Sequence, residues 1–458
     1  MTTMASPSGI DRDRVKALKD AEDARYAASH PRSAELLARG RAVMPNGVPM
    51  AWHVGSYHHL PPWMVEGTGA HITDVDGHTY ADFNIADMSM FCGYAPEPLV
   101  RAVSRQVARG NQFLLPVEDA IVVSEELGRR FGLPKWQYTS SATHANTEAI
   151  RAARVATGRD RVLMFDGKYH GHLDEALVEL DDDGRVVPEE HGLPADTVSG
   201  TVLVPFNDIA ALEHALERRD IALVLTEPAI TNNIGLLLPD DGFHAALRRL
   251  TRETGTLLAY DETHTQVVGP GGLVRQWVLE PDLVTVGKSI AGGLPFGAWG
   301  MTDEIAAHLE QRKGPDGERE VLVATGGTIF GNALALAAAR AVMTEILTPE
   351  AYAHTQRLGA KLAGGMRRSV DAHGLPWHIH HLGPRSGYTF QPTPIRTGAE
   401  GRAAADDLLT RLIRVWLANR GVWEAIVGAG PVCPVPATDA DVDLYLAGWD
   451  ALLDALSA

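Results

Sequence analysis

Cysteine is almost absent: Cys92 and Cys433 are the two in 458 residues. Two thiols are too few for a disulfide framework and suit a reducing compartment. Positive charge is also in short supply. There are 41 Lys and Arg against 58 Asp and Glu, a net charge of −17, which argues against a nucleic-acid or anionic-membrane surface while allowing a local pocket for a small anion. No run approaches the ~18 apolar residues of a membrane span. The segment from Met1 to Pro7 leads into the charged stretch Asp11 to Arg25 without the apolar core of a signal peptide. These absences lead us to expect a soluble, cytoplasmic protein.

What is present is an ordinary globular mixture, 45% hydrophobic and 22% charged, about three times the ~150-residue length of a typical domain. Residues 1 to about 45 read as a polar, Ala/Arg-rich amphipathic helix stopped by Pro45-Asn46-Gly47. Two alternating runs around Asp76-Gly77, from His71 to Phe83, predict a hairpin. From about 97 to 330, β-rich runs (Val162 to Phe165, Thr201 to Val204, Ala222 to Thr226, Thr256 to Tyr260, Leu283 to Val286) alternate with helical stretches such as Asp241 to Thr254. That alternation implies right-handed crossovers and a mostly parallel α/β sheet covered on both faces. An Ala-rich helix from Asn332 to Leu347 follows a polar loop at 313–319, and the C-terminal part, with His378 to Phe390 and Gly421 to Val435, suits a smaller α/β unit. The expected division is 1–96, 97–335 and 336–458.

Three segments can carry chemistry. In Asp282-Leu-Val-Thr-Val-Gly-Lys288-Ser-Ile-Ala-Gly-Gly293 a buried strand ends in Gly-Lys and enters a Gly-rich turn. A lysine at the carboxyl edge of a parallel sheet sits where such sheets bind ligands, and partial desolvation frees its amine for Schiff-base chemistry. In Thr256-Leu-Leu-Ala-Tyr-Asp261-Glu-Thr263-His264, Asp261 also ends a strand, where a carboxylate can keep a heterocyclic nitrogen protonated. Tyr138-Thr-Ser-Ser141-Ala142-Thr143-His144 opens a helix running to Thr157, and its N–H groups and hydroxyls offer a phosphate site. Taken singly, each has a plain structural reading: a solvated turn lysine, a helix-capping aspartate, an ordinary helix cap.

The order and spacing of these motifs resemble the class III, ornithine-aminotransferase-like, pyridoxal-phosphate enzymes of fold type I. The nearest branch is the glutamate-1-semialdehyde aminomutase and β-amino-acid aminotransferase group, and the resemblance runs from Asp74-Val-Asp-Gly77 to the C-terminus. It implies a large domain with a mostly parallel, seven-stranded sheet and a smaller α/β domain from both chain ends. It implies pyridoxal 5′-phosphate as cofactor, Lys288 as its Schiff-base lysine and Asp261 as partner of the ring nitrogen. Ser141, Ala142 and Thr143 would cradle the phosphate, Tyr169 of Tyr169-His170-Gly171 would stack on the ring, and Thr263 would pack on its other face. Glu227-Pro228 and Asn207-Asp208 match family elements, with Glu227 beneath the ring's 3-oxygen region. Gly327-Thr328 would lend a phosphate ligand to the neighbouring subunit, hence a homodimer with shared active sites. Lys288 would serve as covalent partner and then as proton shuttle.

The chain departs from that family in several places. Ala142 and His144 replace a Gly and a Glu, His144 being assigned a supporting or subunit-contact role. Thr263 replaces a Val, and Asp87 stands where relatives carry an aromatic. Both arginines that relatives use for a substrate carboxylate are missing, from Gly47-Val-Pro-Met50-Ala-Trp52 and from Val427-Gly-Ala-Gly-Pro-Val432. A carboxylate in a dry pocket wants a bidentate partner, for which Arg385 is the first substitute and Arg275 the second. Trp52, Met88, Met90 and Phe91 are expected around the substrate. His378, His380 and the pair His58-His59 lack a companion cluster at ligand spacing, so no metal site is expected. The activity implied is amino transfer between an amino acid or amine and a 2-oxo acid. An aminomutase, or a racemase or epimerase, using the same lysine is the alternative.

Overall fold

The computed structural model describes residues 8–458 apart from 182, 195, 311, 314–318 and 321–322, so the polar loop at 313–319 lies largely outside the described residues. Seven strands form the central sheet: β1 (Lys135–Thr139), β2 (Arg161–Phe165), β3 (Thr201–Val204), β4 (Ile221–Thr226), β5 (Leu257–Asp261), β6 (Leu283–Val286) and β7 (Gly297–Met301). Their order is β1-β7-β6-β5-β4-β2-β3. Every neighbouring pair is parallel except those made by β7, which runs antiparallel to β6 and β1.

β4 is buried at every position, as expected of a strand with both faces covered, whose sequence is therefore continuously apolar. On one face lies helix Ala142–Thr157, presenting Ala145, Ala149, Ala152 and Ala153; on the other lie Phe243, Leu247 and Leu250 of helix Phe243–Thr254. The five apolar runs read from the sequence fall within a residue of β2 to β6. β7 was not among them because Gly297 and Gly300 interrupt its pattern. Both glycines are required by packing: a Cβ at Gly300 would strike the Trp136 indole, and one at Gly297 the carbonyl of Ser141.

A second core draws on both chain ends, joining Val15 and Phe83 to Leu358, Met366, Trp377, Leu412 and Trp449. Strand Val422–Trp423 lies parallel to the hairpin strand Thr79–Asp82, and the Phe83 N–H donates to the Trp423 carbonyl at 2.9 Å. This junction anchors the start of segment 84–91, which enters the site described below. The expected hairpin is present, with Gly77 at φ +90° between its strands. The single N-terminal helix is instead two, Arg12–Ser29 and Pro31–Gly40, because Pro31 starts a new helix rather than continuing the first. The helix from Asn332 runs as Ala333–Ala341 and then widens into a π turn at Val342–Ile346. Most of Gly421 to Val435 is irregular, since Pro431 and Pro434 cannot donate to a ladder.

His30, Asp74 and His78 approach one another closely enough to hold an ion, yet they already serve one another. Tyr80 donates its hydroxyl to Asp74 at 2.8 Å, and His30 Nε2 lies 2.7 Å from that same hydroxyl, fastening the N-terminal helices to the hairpin.

Candidate active site

β5 ends in Asp261, β6 is followed by Gly287-Lys288, and β1 leads through Ser140 into helix Ala142–Thr157. The carboxyl ends of these parallel strands thus deliver three kinds of group to one place, the position at which open α/β sheets bind ligands. A cavity of about 240 Å³ lies there, lined by Lys288, Asp261, Thr263, Ser141, Ala142, Thr143, Tyr169, Glu227 and Trp52, and also by Asp87, His170 and His264. Lys288 itself holds φ +48°, a left-handed conformation that a non-glycine residue adopts only when its surroundings enforce it.

Asp261 is a buried anion with a complete set of donors. Oδ2 accepts from Asn146 Nδ2 at 2.9 Å and from His170 Nδ1 at 3.0 Å, and Oδ1 accepts from the Thr263 N–H at 3.0 Å. Asn146 is oriented in turn by Thr285, whose hydroxyl donates to its Oδ1 at 2.6 Å. Burial acts to raise the Asp261 carboxyl, but His170 and the other donors outweigh it and hold the group at about 2. Glu227 is the opposite case: burial prevails over its hydrogen bonds to Thr231 and pushes it up to about 8.

At the helix end, Ser141 caps the helix and Thr143 Oγ1 accepts from the His172 N–H at 3.1 Å. A Cβ at Gly171 would strike Thr143, so this approach of two loops depends on glycine. His144 Nδ1 lies 3.0 Å from the Ser141 hydroxyl, and its ring meets that of Phe330 at 5.3 Å.

Lys288 Nζ has two partners: it donates to Asp87 Oδ2 and lies 2.7 Å from His264 Nε2. Burial acts to raise the Asp87 carboxyl, and the charge of Lys288, with that of Arg385, overcomes it and holds the group at about 2. For His264, burial and then the charge of Lys288 push the ring down to about 3.

Four expected substrate contacts are placed elsewhere. Arg385 is 2% exposed and does not line the cavity; its guanidinium donates to the Gly430 carbonyl at 3.0 Å and abuts Met88 Sδ at 2.7 Å. Met88 is buried with it, and Phe91 belongs to the main core. Arg275 is exposed and away from the cavity. Segment 85–88 leaves the core through a left-handed turn, which carries Asp87 into the site and Met88 into the interior. Gly327 and Thr328 are exposed and are not part of this cavity wall. Sequence reasoning missed Asn146, His170 and His264 as site residues. Their signal was faint: His170 follows Tyr169 directly, and His264 sits three places past Asp261 in a polar run closing an apolar strand.

The family model for class-III aminotransferases matches residues 54–428. The chain is 35% identical over 381 residues, 81% of this chain and 86% of that protein, to the glutamate-1-semialdehyde 2,1-aminomutase of Anaeromyxobacter sp. (strain Fw109-5). Its fold is similar to the crystal structure of a glutamate-1-semialdehyde aminomutase from Pseudomonas aeruginosa PAO1, with TM-score 0.93, 39% identity, and coverage of 98% of this chain and 100% of that one. It is also similar to an omega-transaminase from Sphaerobacter thermophilus, with TM-score 0.85, 30% identity, and coverage of 93% and 98%. The strand order, the lysine and aspartate at adjoining strand ends and these matches together mean that the chain belongs to the class-III aminotransferases, pyridoxal-phosphate enzymes of fold type I.

Proposed function

We propose that this chain moves an amino group between an amino acid or amine and a 2-oxo acid, with Lys288 as the covalent partner of pyridoxal phosphate, and that it works as a cytoplasmic homodimer. One observation carries the reading: the Lys288 amine, the Asp261 carboxylate and the start of helix Ala142–Thr157 all open on the same cavity. These residues fit the cofactor. A helix N-terminus with Ser141 and Thr143 suits a phosphate, a buried anion at Asp261 suits a protonated ring nitrogen, and the Tyr169 ring supplies a flat apolar wall. Glu227 Oε1 and Thr263 Oγ1 lack partners among the described residues, so polar capacity in the wall remains available to a polar ligand.

When bound, the cofactor supplies a carbonyl carbon that condenses with amines and a ring that withdraws electrons. Asp261, locked by Asn146, His170 and the Thr263 N–H, keeps a negative charge facing that ring. Lys288, once its amine is free, is the base placed to move a proton to and from substrate carbon. The buried strands behind Asp261 and Lys288 keep water from reaching the site from below. Gly327 and Thr328, exposed on this chain, would meet the phosphate of a partner subunit.

An intramolecular aminomutase is the second reading, favoured by the names of the relatives above. A half-reaction separates the two. Protein loaded with cofactor but given no oxo acid is titrated with α-amino acids, β-amino acids and amines while the cofactor's visible absorption is followed. Lasting bleaching with release of one oxo product establishes transfer and names the donor class. A perturbed band that recovers with no oxo product points to a mutase or a racemase. Lys288→Ala should abolish turnover and covalent cofactor attachment, and an active variant would sink both readings.

A further inference from the structure

The two partners of Lys288 form an arrangement that the motifs above do not account for. Asp87 arrives on a left-handed turn, with φ of +46°, +49°, +51° and +67° at Ile85, Ala86, Asp87 and Met88. Each such residue costs roughly 1–2 kcal/mol, so the turn exists only because its flanks fix it. Asp82 Oδ1 accepts the N–H groups of Asn84 and Ile85 at 2.9 and 2.8 Å, and the Met90 N–H donates to the Ile85 carbonyl at 3.0 Å. The result is a carboxylate with one oxygen on Lys288 and the other, Oδ1, buried without a partner among the described residues.

His264 meets the same amine with a defined tautomer. Its Nδ1 lies 2.8 Å from the Thr231 carbonyl oxygen, which can only accept, so Nδ1 carries the proton. Nε2 of the neutral ring is therefore a lone pair, and it points at Nζ. Charged and titratable neighbours of this trio come from several elements. Arg385 acts on Asp87 and His264, Glu227 Oε2 lies 3.8 Å from His264 Nδ1, and Tyr169 and Asp261 line the same cavity.

We propose that Asp87 and His264 form the seat of the Lys288 amine whenever it is not bonded to carbon, Asp87 pairing with it and the His264 Nε2 lone pair accepting a hydrogen bond from it, so that Nζ is kept aimed into the cavity. The inference rests on Lys288 being the reacting amine.

The test of Asp87 needs neither cofactor nor substrate, so it stands apart from the aminotransferase reading. Cofactor-free, full-length protein is treated with acetic anhydride at neutral pH, and acetylation of Lys288 is compared by peptide mass spectrometry with that of the exposed Lys135. Asp87→Asn removes the anion that pairs with Nζ, and Lys288 labelling relative to Lys135 should rise about tenfold. Asp87→Ser serves as a second variant if the first folds poorly, judged by its melting curve. Unchanged labelling in the folded variants would overturn the role of Asp87. His264→Ala removes the hydrogen-bond acceptor and His264→Gln keeps one. In the same cofactor-free assay Lys288 labelling should rise severalfold in His264→Ala and stay near the wild-type level in His264→Gln. Unchanged labelling in a folded His264→Ala, or an equal rise in both variants, would overturn the role of His264.

Discussion

Asp261 and Asp87 open on the same cavity and both are held at about 2, yet they are built in different ways. Asp261 ends a buried strand, and its donors are fixed protein groups: Asn146, His170 and the Thr263 N–H. None of them has to move for chemistry. Asp87 sits on a turn of left-handed residues, and among the described residues its side chain bonds only to Lys288, the group that must move. A preorganised anion suits a constant demand, whereas an anion paired to a reacting amine can release it, and that pairing is available only until Lys288 engages elsewhere. Removing the charge at each position probes this contrast. Asp261→Asn should lower kcat by roughly 100-fold or more, the scale of losing a fixed electrostatic partner at a reacting centre, while cofactor-free protein keeps its Lys288 labelling unchanged. Asp87→Asn should change that labelling. Equal labelling in both variants would erase the distinction.

The difference also explains what the sequence could reveal. Asp261 and Lys288 follow mainly apolar runs that are buried except for the half-buried Leu257, so their position at strand ends was legible from pattern alone. The helix at Ala142 was legible from its small hydroxyl residues and its Ala-rich buried face. Asp87 carried no such signal. Four consecutive left-handed residues without glycine contradict local preference, and what overrides it is a local cap by the Asp82 side chain combined with the tertiary anchor of Phe83 on the C-terminal strand Val422–Trp423. Arg385 misled for a related reason. Its place two residues after a glycine reads as a surface turn, but strand Arg385–Thr389 turns it inward, against Met88 and Gly430.

Glu227 links the two regions, with Asp261 among the charges raising it and His264 at 3.8 Å. Its carboxyl lies near 8 when folded, against an ordinary 4.5, so the folded chain retains a proton that the unfolded chain releases. The stabilisation linked to that proton is complete below about 4.5 and is lost as pH rises toward 8. Asp261 has the opposite sign: its contribution is present above about 3.8 and disappears as pH falls through about 2. Between pH 5.5 and 8 Glu227 therefore acts to lower the melting temperature of cofactor-free protein, against His59, His244, His264 and His380, which burial holds at about 4, 4, 3 and 4 and which act to raise it. Glu227→Gln, which can still accept from Thr231, should remove the Glu227 part of that pH dependence, raising stability at pH 8 relative to pH 5.5 by a few kcal/mol. A residual slope is expected from Asp82, Glu262 and Glu424, held by burial at about 6, 7 and 7. An unaltered slope would mean that Glu227 is ionised in the folded chain.

The smallest expected effect belongs to the left-handed turn. Ala86 holds φ +49° with its methyl exposed, so Ala86→Gly removes little packing and relieves about 1 kcal/mol of backbone strain. Glycine also gives the unfolded chain more freedom, worth about 0.4–1 kcal/mol in the other direction. The net change in urea unfolding should then lie between zero and about 1 kcal/mol of stabilisation. The turn, however, would hold Asp87 less firmly against Lys288, and acetylation of Lys288 should rise, by less than in Asp87→Asn. A marked loss of stability would show that the left-handed turn is held by contacts of Ala86 itself. Stability within that range with raised labelling would show that its flanks form the turn and that its geometry serves the carboxylate it carries.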